Sequence, residues 1–250
     1  MSTIPIVEAA DLALLFHLNS EPWKNQPAYD RPTPMGAFKT VEEGGQPIAL
    51  PPGISTPLAD LIRARYSCRT FADSALPLTT LASLLHHTYG TIGLRQSGAV
   101  ASHHRPVPSA GALHPLELYV LAHSVDGLAG GLYHYAAWHH RMEPVDMAAT
   151  VQRFIPEMQD QFYLVNANAI VFFTAVFPRT MKKYGPRGYR YVLLEAGHAA
   201  QNLCLLAVEQ GLATLCLGGF CDSAINAFLR LNPAGEGAVY AVAVGRPSLP

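Results

Sequence analysis

Residues 169–211 read AIVFFTAVFPRTMKKYGPRGYRYVLLEAGHAAQNLCLLAVEQG, and most of the architecture is inferred outward from them. The first nine residues form a continuous apolar run of strand length, which predicts a central strand buried on both faces. Residues 191–211 are apolar on nearly every side and end at Gly211, which predicts a helix buried over most of its surface. Strands mixed with separate helices of this kind indicate an α+β fold.

The flanking sequence adds further strands and helices. Thr56 and Pro57 supply a hydroxyl cap and a first-turn proline, which predicts a helix that ends near Arg65. A second helix is expected from Pro77 to Gly90, whereas the next residues, up to 107, lack periodicity and are interpreted as a loop. The remaining predicted elements are a strand at 116–122, a hairpin at 131–145, a helix at 147–158, a strand at 214–217, a helix at 223–231 and a strand at 239–244.

Two regions of the chain differ in composition. Residues 1–50 contain a short amphipathic piece followed by Pro, Gly and polar residues, so they are interpreted as an N-terminal extension. Residues 51–250 carry the periodic elements and are interpreted as one domain. The four cysteines form no CxxC pair, and the E-x-x-H of Glu195 and His198 has no second copy. No metal site is therefore expected.

Composition also restricts the classes of function. The 250 residues include 17 Lys and Arg against 18 Asp and Glu, and no basic run exceeds Lys182–Lys183, so nothing indicates binding to nucleic acid. No apolar stretch reaches the ~20 residues of a membrane span, and the N-terminus lacks a basic region before its apolar part. A cytoplasmic protein is expected. Hydrophobic residues make up 50% and charged residues 14%, which favours a subunit interface.

Four short motifs are candidates for chemistry, and each has a structural alternative. Arg65–Arg69 presents two guanidinium groups and a hydroxyl suited to a phosphate, or is a solvated helix end. Pro108–Pro115 contains small residues that let a backbone approach a flat ligand, or is an ordinary loop. Gly218–Gly219 aims backbone N–H groups at an anion or ring edge, or forms a tight turn. Lys183–Tyr184 is an acid–base pair in a loop after the buried strand, or a basic surface loop.

Nine segments occur together in a characteristic order. They are FHLNS at 16–20, LPP at 50–52, RYSCRTF at 65–71, LASLLHHTYG at 81–90, PSAGALHPLELYV at 108–120, GLYHY at 131–135, KYGPRGYRYVLLEAGHAAQNL at 183–203, GGF at 218–220 and VGRP at 244–247. In this order they resemble the nitroreductase superfamily and, within it, the SagB-type dehydrogenases. That group includes the azoline oxidases that make thiazoles and oxazoles in modified peptides.

The resemblance implies a mixed, mostly antiparallel sheet flanked by helices, assembled as an intertwined homodimer with FMN at the subunit interface. The residues implied to contact FMN are Arg65, Ser67 and Arg69 at the phosphate and ribityl chain, Arg246 as a further phosphate contact, Ser109 and Gly111 along the isoalloxazine ring, and Gly218 and Gly219 near N5 and O4. Lys183 and Tyr184 match a pair that is held to be catalytic in the azoline oxidases.

The implied reaction oxidises an azoline or amino-acyl unit, either free, peptidyl or carrier-bound. A hydride passes to flavin N5, a positioned base takes a proton, and oxygen reoxidises the flavin. Tyr184, made more acidic by Lys183, is the expected base, with Lys183 as its partner or alternate. Two other functions stay open: an NAD(P)H-dependent nitro or quinone reductase, and a non-catalytic subunit of a synthetase complex.

Overall fold

The computed structural model describes residues 13, 15–17, 20, 46, 48–97, 100–158, 162–232 and 235–248. Most of the expected extension at 1–50 lies outside the described residues. The part that is described includes a helical piece at 15–17, where His17 is buried and shares a 3.1 Å hydrogen bond with the Tyr189 hydroxyl. This piece of the N-terminal region therefore packs against the domain.

The helices and strands are defined as follows. The helices are α1 (Pro57–Ala64), α2 (Leu78–Tyr89), α3 (Val151–Phe154), α4 (Phe177–Tyr184), α5 (Arg187–Glu209) and α6 (Asp222–Phe228). The strands are β1 (Leu76–Pro77), β2 (Gly93–Ser97), β3 (Val100–His104), β4 (Leu116–Ala122), β5 (Val125–Asp126), β6 (Gly131–Ala136), β7 (Arg141–Asp146), β8 (Ala169–Val176), β9 (Ala213–Leu217) and β10 (Glu236–Gly245).

The main sheet has the strand order β7-β6-β4-β8-β10-β9, and every neighbouring pair is antiparallel. Strand β8 is central and buried almost throughout, as its continuous apolar sequence predicts. Leu116 pairs with Ala175, and Glu236 pairs with Val176. The start of β4, the end of β8 and the start of β10 therefore lie side by side, at the same end of these adjacent strands.

Helices cover both faces of this sheet. On one face α2 and α5 pack against alternate residues of β4, β8 and β10, including the fully buried Phe173. On the other face α3 and α6 pack around Phe172, the neighbouring residue of β8. Because successive strand residues point to opposite faces, one apolar strand supplies both cores. The predicted α+β architecture with a flanked, antiparallel sheet is confirmed.

Helix α5 is long and apolar enough, by length and composition, to cross a membrane. Its contacts explain that composition, because it packs on α2, α4, β9 and β10 and buries nine of its residues. Such a helix is the core helix of a globular fold.

Three sequence-based predictions are wrong in detail. The expected loop at 91–107 contains the β2–β3 hairpin, which is held by its own backbone ladder outside the main sheet and so has no apolar periodicity. The helix expected at 147–158 is α3 followed by a 3₁₀ turn, because Pro156 cannot donate the next helical hydrogen bond. Lys183–Tyr184 is not in a loop but ends α4, which begins around Pro178 and stops at Gly185 with φ +56°.

Candidate functional site

The loop between β3 and β4 has an unusual backbone. Gly111, Ala112 and His114 have φ values of +63°, +54° and +44°, and for a residue with a side chain this region costs about 1–2 kcal/mol. Two hydrogen bonds hold the conformation: the His114 N–H donates to Ser109 Oγ at 2.9 Å, and His114 Nε2 donates to the His103 carbonyl at 3.0 Å. Retained strain of this kind is typical of functional sites.

A buried carboxylate lies next to this loop, close to the His114 side chain. Glu195 of α5 is 2% exposed, and its Oε1 accepts a 2.6 Å hydrogen bond from the Tyr89 hydroxyl and lies 3.8 Å from His114 Nδ1. Burial and the nearby carboxylate raise the pKa of Tyr89 well above 10, so it stays a donor. The same hydroxyl accepts a 3.3 Å hydrogen bond from the Leu116 N–H. The network fixes the start of β4 to α2 and α5, within one chain.

Lys183 and Tyr184 meet the loop at Gly111. A Cβ atom placed on Gly111 would lie 2.8 Å from Lys183 Nζ and 2.8 Å from the Tyr184 hydroxyl, so only glycine fits there without displacing them. The two polar atoms are therefore at most twice that distance apart. Tyr184 is half-buried, and the edge-on ring of Tyr191, 5.2 Å away between centroids, fixes its orientation. The predicted catalytic pair thus lies against a residue predicted to line the flavin.

A second group of predicted residues lies around the start of β9. Ser67 forms an isolated bridge with Thr214 of β9, and Arg65 lies near enough to β9 to act on the charge of Cys216. Arg246 follows β10, where its backbone carbonyl accepts from the Ala72 N–H. The pairing of residues 70–72 with 246–248 brings the segment after Arg69 beside the end of β10.

The glycine pair lies at the opposite end of β9. Gly218 is exposed, and the ring of Tyr240 is the nearest group that a Cβ there would meet, at 3.8 Å. From Thr214 to Gly218 an extended chain rises about 13 Å. The segments that carry Ser67 and Arg246 therefore lie at one end of β9, and the exposed backbone of Gly218 lies at the other.

Within one chain, the residues around Gly111 lie apart from the residues around β9. Strands β8 and β10 lie between β4, which follows the Ser109–Gly111 loop, and β9. Three strand spacings amount to roughly 14 Å. Ser109, Gly111, Lys183 and Tyr184 thus form one half of the predicted site, and Arg65, Ser67, Arg69, Arg246, Gly218 and Gly219 form the other half.

A cavity of about 280 Å³ adjoins the first half. It is lined by His104 at the end of β3, by Arg105 directly after it, and by Ser109, Ala112 and His114 of the strained loop. The Arg105 guanidinium lies 4.4 Å above the Tyr89 ring and donates to the Tyr89 carbonyl. The segment at 91–107, which the sequence analysis interpreted as a loop, therefore contributes basic side chains to the lining of this cavity.

Sequence reasoning did not identify the roles of Tyr89 and His114 in this arrangement. The E-x-x-H pattern of Glu195 and His198 gave no indication of these contacts, and the partners of Glu195 lie in the same chain. In the sequence, His114 lies in the motif PSAGALHP and Glu195 lies in the motif LLEAGH. Neither motif indicates that the two side chains lie close together in the fold.

Comparison with known proteins gives a consistent family. Residues 62–246 match the model of the nitroreductase family. A Methanocaldococcus jannaschii protein named as a nitroreductase is 33% identical over 74% of this chain and 90% of its own length. The trifolitoxin-processing protein TfxB of Rhizobium leguminosarum bv. trifolii is 30% identical over 68% of this chain. The microcin B17-processing protein McbC of Escherichia coli is 31% identical over 51% of this chain. This chain spans about half the length of TfxB and of McbC, 48% and 49% respectively.

Solved structures share the fold. A chain of the E. coli microcin synthetase McbBCD complex, with truncated pro-MccB17 bound, superposes with a TM-score of 0.73 at 22% identity over 97% of this chain and 94% of its own. A nitroreductase from Desulfovibrio desulfuricans in complex with FMN superposes with a TM-score of 0.54 at 17% identity over 78% of this chain and 89% of its own.

Proposed function

The chain belongs to the nitroreductase family, and we propose that it is an FMN-dependent dehydrogenase of the SagB type. Its proposed substrate is an azoline-type heterocycle or amino-acyl unit, which it oxidises to an azole or a desaturated product during natural-product biosynthesis. The observation that carries the proposal is the meeting of Lys183 Nζ and the Tyr184 hydroxyl at Gly111. The naming of TfxB and McbC as toxin- and microcin-processing proteins supports the substrate class.

The residues at the two ends of β9 fit FMN, which is elongated and carries an anionic phosphate at one end. Arg65, Arg69 and Arg246, with the Ser67 hydroxyl, form a donor set suited to that phosphate. Gly218–Gly219, about 13 Å further along β9, leaves backbone uncovered for the edge of a planar ring. When bound, FMN supplies a hydride acceptor at N5.

Lys183 and Tyr184 would accept the proton that the substrate loses in the reaction. Oxidation of an azoline removes one hydride and one proton from adjacent positions, and the proton needs an acceptor at the site. The Tyr184 oxygen is the proposed acceptor, and the Lys183 ammonium stabilises the phenolate by charge. The strained loop and the Glu195 network keep Gly111 against both groups, so the pair is oriented before substrate binds.

We propose that FMN lies between two subunits of a cytoplasmic homodimer. The roughly 14 Å across the sheet separates the Gly111 half of the site from the Gly218 half, and a partner subunit can bring opposite halves together. Several apolar side chains support such an interface by their exposure: Leu58 and Ile62 of α1 are 57% and 51% exposed, and Leu194 of α5 is 54% exposed. A biosynthetic complex partner, of the kind McbC has in McbBCD, is a further proposal.

The function is tested by mixing the purified protein anaerobically with an azoline-containing peptide. We expect the flavin absorbance to bleach and the peptide to lose two hydrogen atoms in mass. The Lys183→Ala and Tyr184→Phe variants should keep their flavin and bleach slowly, whereas Lys182→Ala, which changes the neighbouring exposed lysine, should behave as wild type. Bleaching by NAD(P)H alone would identify a nitro or quinone reductase, and protein that takes up no flavin would identify a non-catalytic subunit.

A further inference from the structure

Two cysteines meet on the sheet face that α5 covers. Cys204 is buried in α5 and Cys216 is exposed on β9, and their Sγ atoms are 3.7 Å apart. The buried Cys68 also lies beside β9, where its N–H donates to the Thr214 carbonyl at 2.9 Å, but its thiol donates a 3.1 Å hydrogen bond to the Thr70 carbonyl. Cys204 and Cys216 therefore form a pair with one accessible and one protected thiol.

The surroundings favour different protonation states for the two sulfurs. The hydrogen bond from Cys204 lowers the pKa of Cys216 to about 6, aided by the Tyr240 hydroxyl and the Arg65 guanidinium and opposed by burial. The same hydrogen bond and burial raise the pKa of Cys204. The surroundings therefore favour the thiolate at the exposed sulfur and the protonated thiol at the buried sulfur. An accessible thiolate beside a second thiol is the arrangement found in redox-sensitive cysteine pairs.

We propose that Cys216 and Cys204 form a redox-active dithiol that hydrogen peroxide converts into a disulfide. The Cys216 thiolate attacks one peroxide oxygen, the O–O bond breaks, and a sulfenic acid and hydroxide form. The Cys204 sulfur then attacks the Cys216 sulfur, an S–S bond forms, and the sulfenic oxygen leaves as water with the Cys204 proton. The two thiols lose two electrons together, and the peroxide gains them.

The geometry suits the second step. A disulfide bond is about 2.05 Å long, so the sulfurs must approach by about 1.7 Å, which side-chain rotation and small shifts of β9 can supply. The bond would tie β9 to α5 between Arg65 and Gly218. This reaction needs only the cysteines and peroxide, so it stands or fails independently of the flavin chemistry.

The test uses the purified 250-residue chain, dialysed to remove free small molecules, and hydrogen peroxide as the probe. We expect the intact mass to fall by two hydrogen atoms and dithiothreitol to restore it. Trypsin leaves Cys204, Cys216 and Cys221 in one peptide, residues 191–230, so a second cleavage after Glu209 is needed to display the cross-link. Cys221→Ser is the matched control, and it should form the same cross-link as wild type.

Two further variants separate the steps. Cys204→Ser should leave Cys216 as a sulfenic acid that dimedone traps, and Cys216→Ser should leave Cys204 reduced. In the untreated protein, iodoacetamide should label Cys216 about 10-fold faster than Cys204 at neutral pH. The proposal is overturned if peroxide yields no link between residues 204 and 216, or if Cys204→Ser still loses two hydrogen atoms.

Discussion

The ammonium nitrogen of Lys183 lies 2.8 Å from the position that a Cβ atom on Gly111 would occupy. The end of α4 and the loop before β4 thus meet with no space between them. Two properties of Gly111 make this contact possible, its lack of a side chain and its φ of +63°.

Gly111→Ala is expected to lower kcat by about 10-fold or more, because the added methyl displaces the Lys183 and Tyr184 polar atoms from their positions. The positive φ should also cost about 1 kcal/mol of stability. Turnover of an azoline peptide and urea denaturation measure the two effects. Gly53→Ala is the control, since a Cβ there meets nothing within 4 Å. Unchanged turnover in Gly111→Ala would show that the positions of Lys183 and Tyr184 do not matter for catalysis.

Replacing Lys183 with Ala, or Tyr184 with Phe, is expected to reduce kcat by about 10²–10⁴-fold, the usual effect of losing a general acid–base group. Binding of FMN should change little, because neither residue belongs to the donor set around β9. Steady-state kinetics and the flavin content of each variant are the measurements. The role of the pair fails if the double variant retains both flavin and wild-type turnover.

Tyr89→Phe is expected to destabilise the fold by about 1–3 kcal/mol, because it leaves the Glu195 carboxylate and the Leu116 N–H unpaired in the core. Tyr133→Phe is a matched control, since its hydroxyl donates one hydrogen bond, to the Ala129 carbonyl, in a less buried position. Denaturant unfolding of both variants gives the comparison. Equal losses of stability would show that the buried network adds nothing beyond one hydrogen bond.

The Glu117–His134–Glu143 cluster makes stability depend on pH. The hydrogen bond to Glu117 raises the pKa of His134 above 6.5, and Glu143 adds to this against the effect of burial. Burial alone would raise the pKa of Glu117, but its hydrogen bonds with His134 and Arg179 leave it below 4.5. The His134 contribution is complete below pH 6.5 and is lost as pH rises through its folded pKa, whereas the Glu117 contribution is lost as pH falls through its own.

His134→Gln is therefore expected to cost most between about pH 4.5 and pH 6.5, roughly 1 kcal/mol for a partly exposed pair, and to cost less toward pH 8.5. Thermal or urea unfolding across this range measures the difference. His139→Gln, an exposed neighbour at the tip of the β6–β7 hairpin, is the control and should change stability little at any pH. A constant difference between wild type and His134→Gln would contradict the assignment.

The proposed homodimer is tested by placing charges on the exposed apolar residues of its interface. Ile62→Glu combined with Leu194→Glu should reduce the mass in light scattering from that of two 27.0 kDa chains to one, because two charges are then buried without partners. Met147→Glu, which changes another apolar residue that is 47% exposed, should leave the dimer intact. A wild-type protein that is monomeric with FMN bound would refute the interfacial site.

The fold followed from the sequence wherever local signals agreed with the final packing. The apolar run of β8, the hydroxyl cap of α1 and the apolar composition of α5 each reflect burial or capping, and each element was predicted within a few residues. The β2–β3 hairpin was missed because its ladder lies off the main sheet and leaves no apolar pattern. Helix α4 was missed as a whole, because its short sequence between Pro178 and Gly185 is polar and was interpreted as a loop.

The candidate site was predictable as separate motifs but not as an arrangement. Gly111 and Lys183 are 72 positions apart, and this spacing does not indicate that they are in contact. The same holds for Cys204 and Cys216, whose proximity depends on α5 turning back to β9 at Gly211. Contacts of this kind are set by the sheet order, which a single sequence does not encode locally.

The most direct measurement is the absorption spectrum of the purified protein, followed by release and identification of the bound chromophore. We expect flavin absorption bands and the release of FMN in a ratio near one per chain. Weakened retention is predicted for Arg65→Ala, because it removes a cation from the donor set around β9. A colourless protein that also fails to take up added FMN would contradict the proposed function.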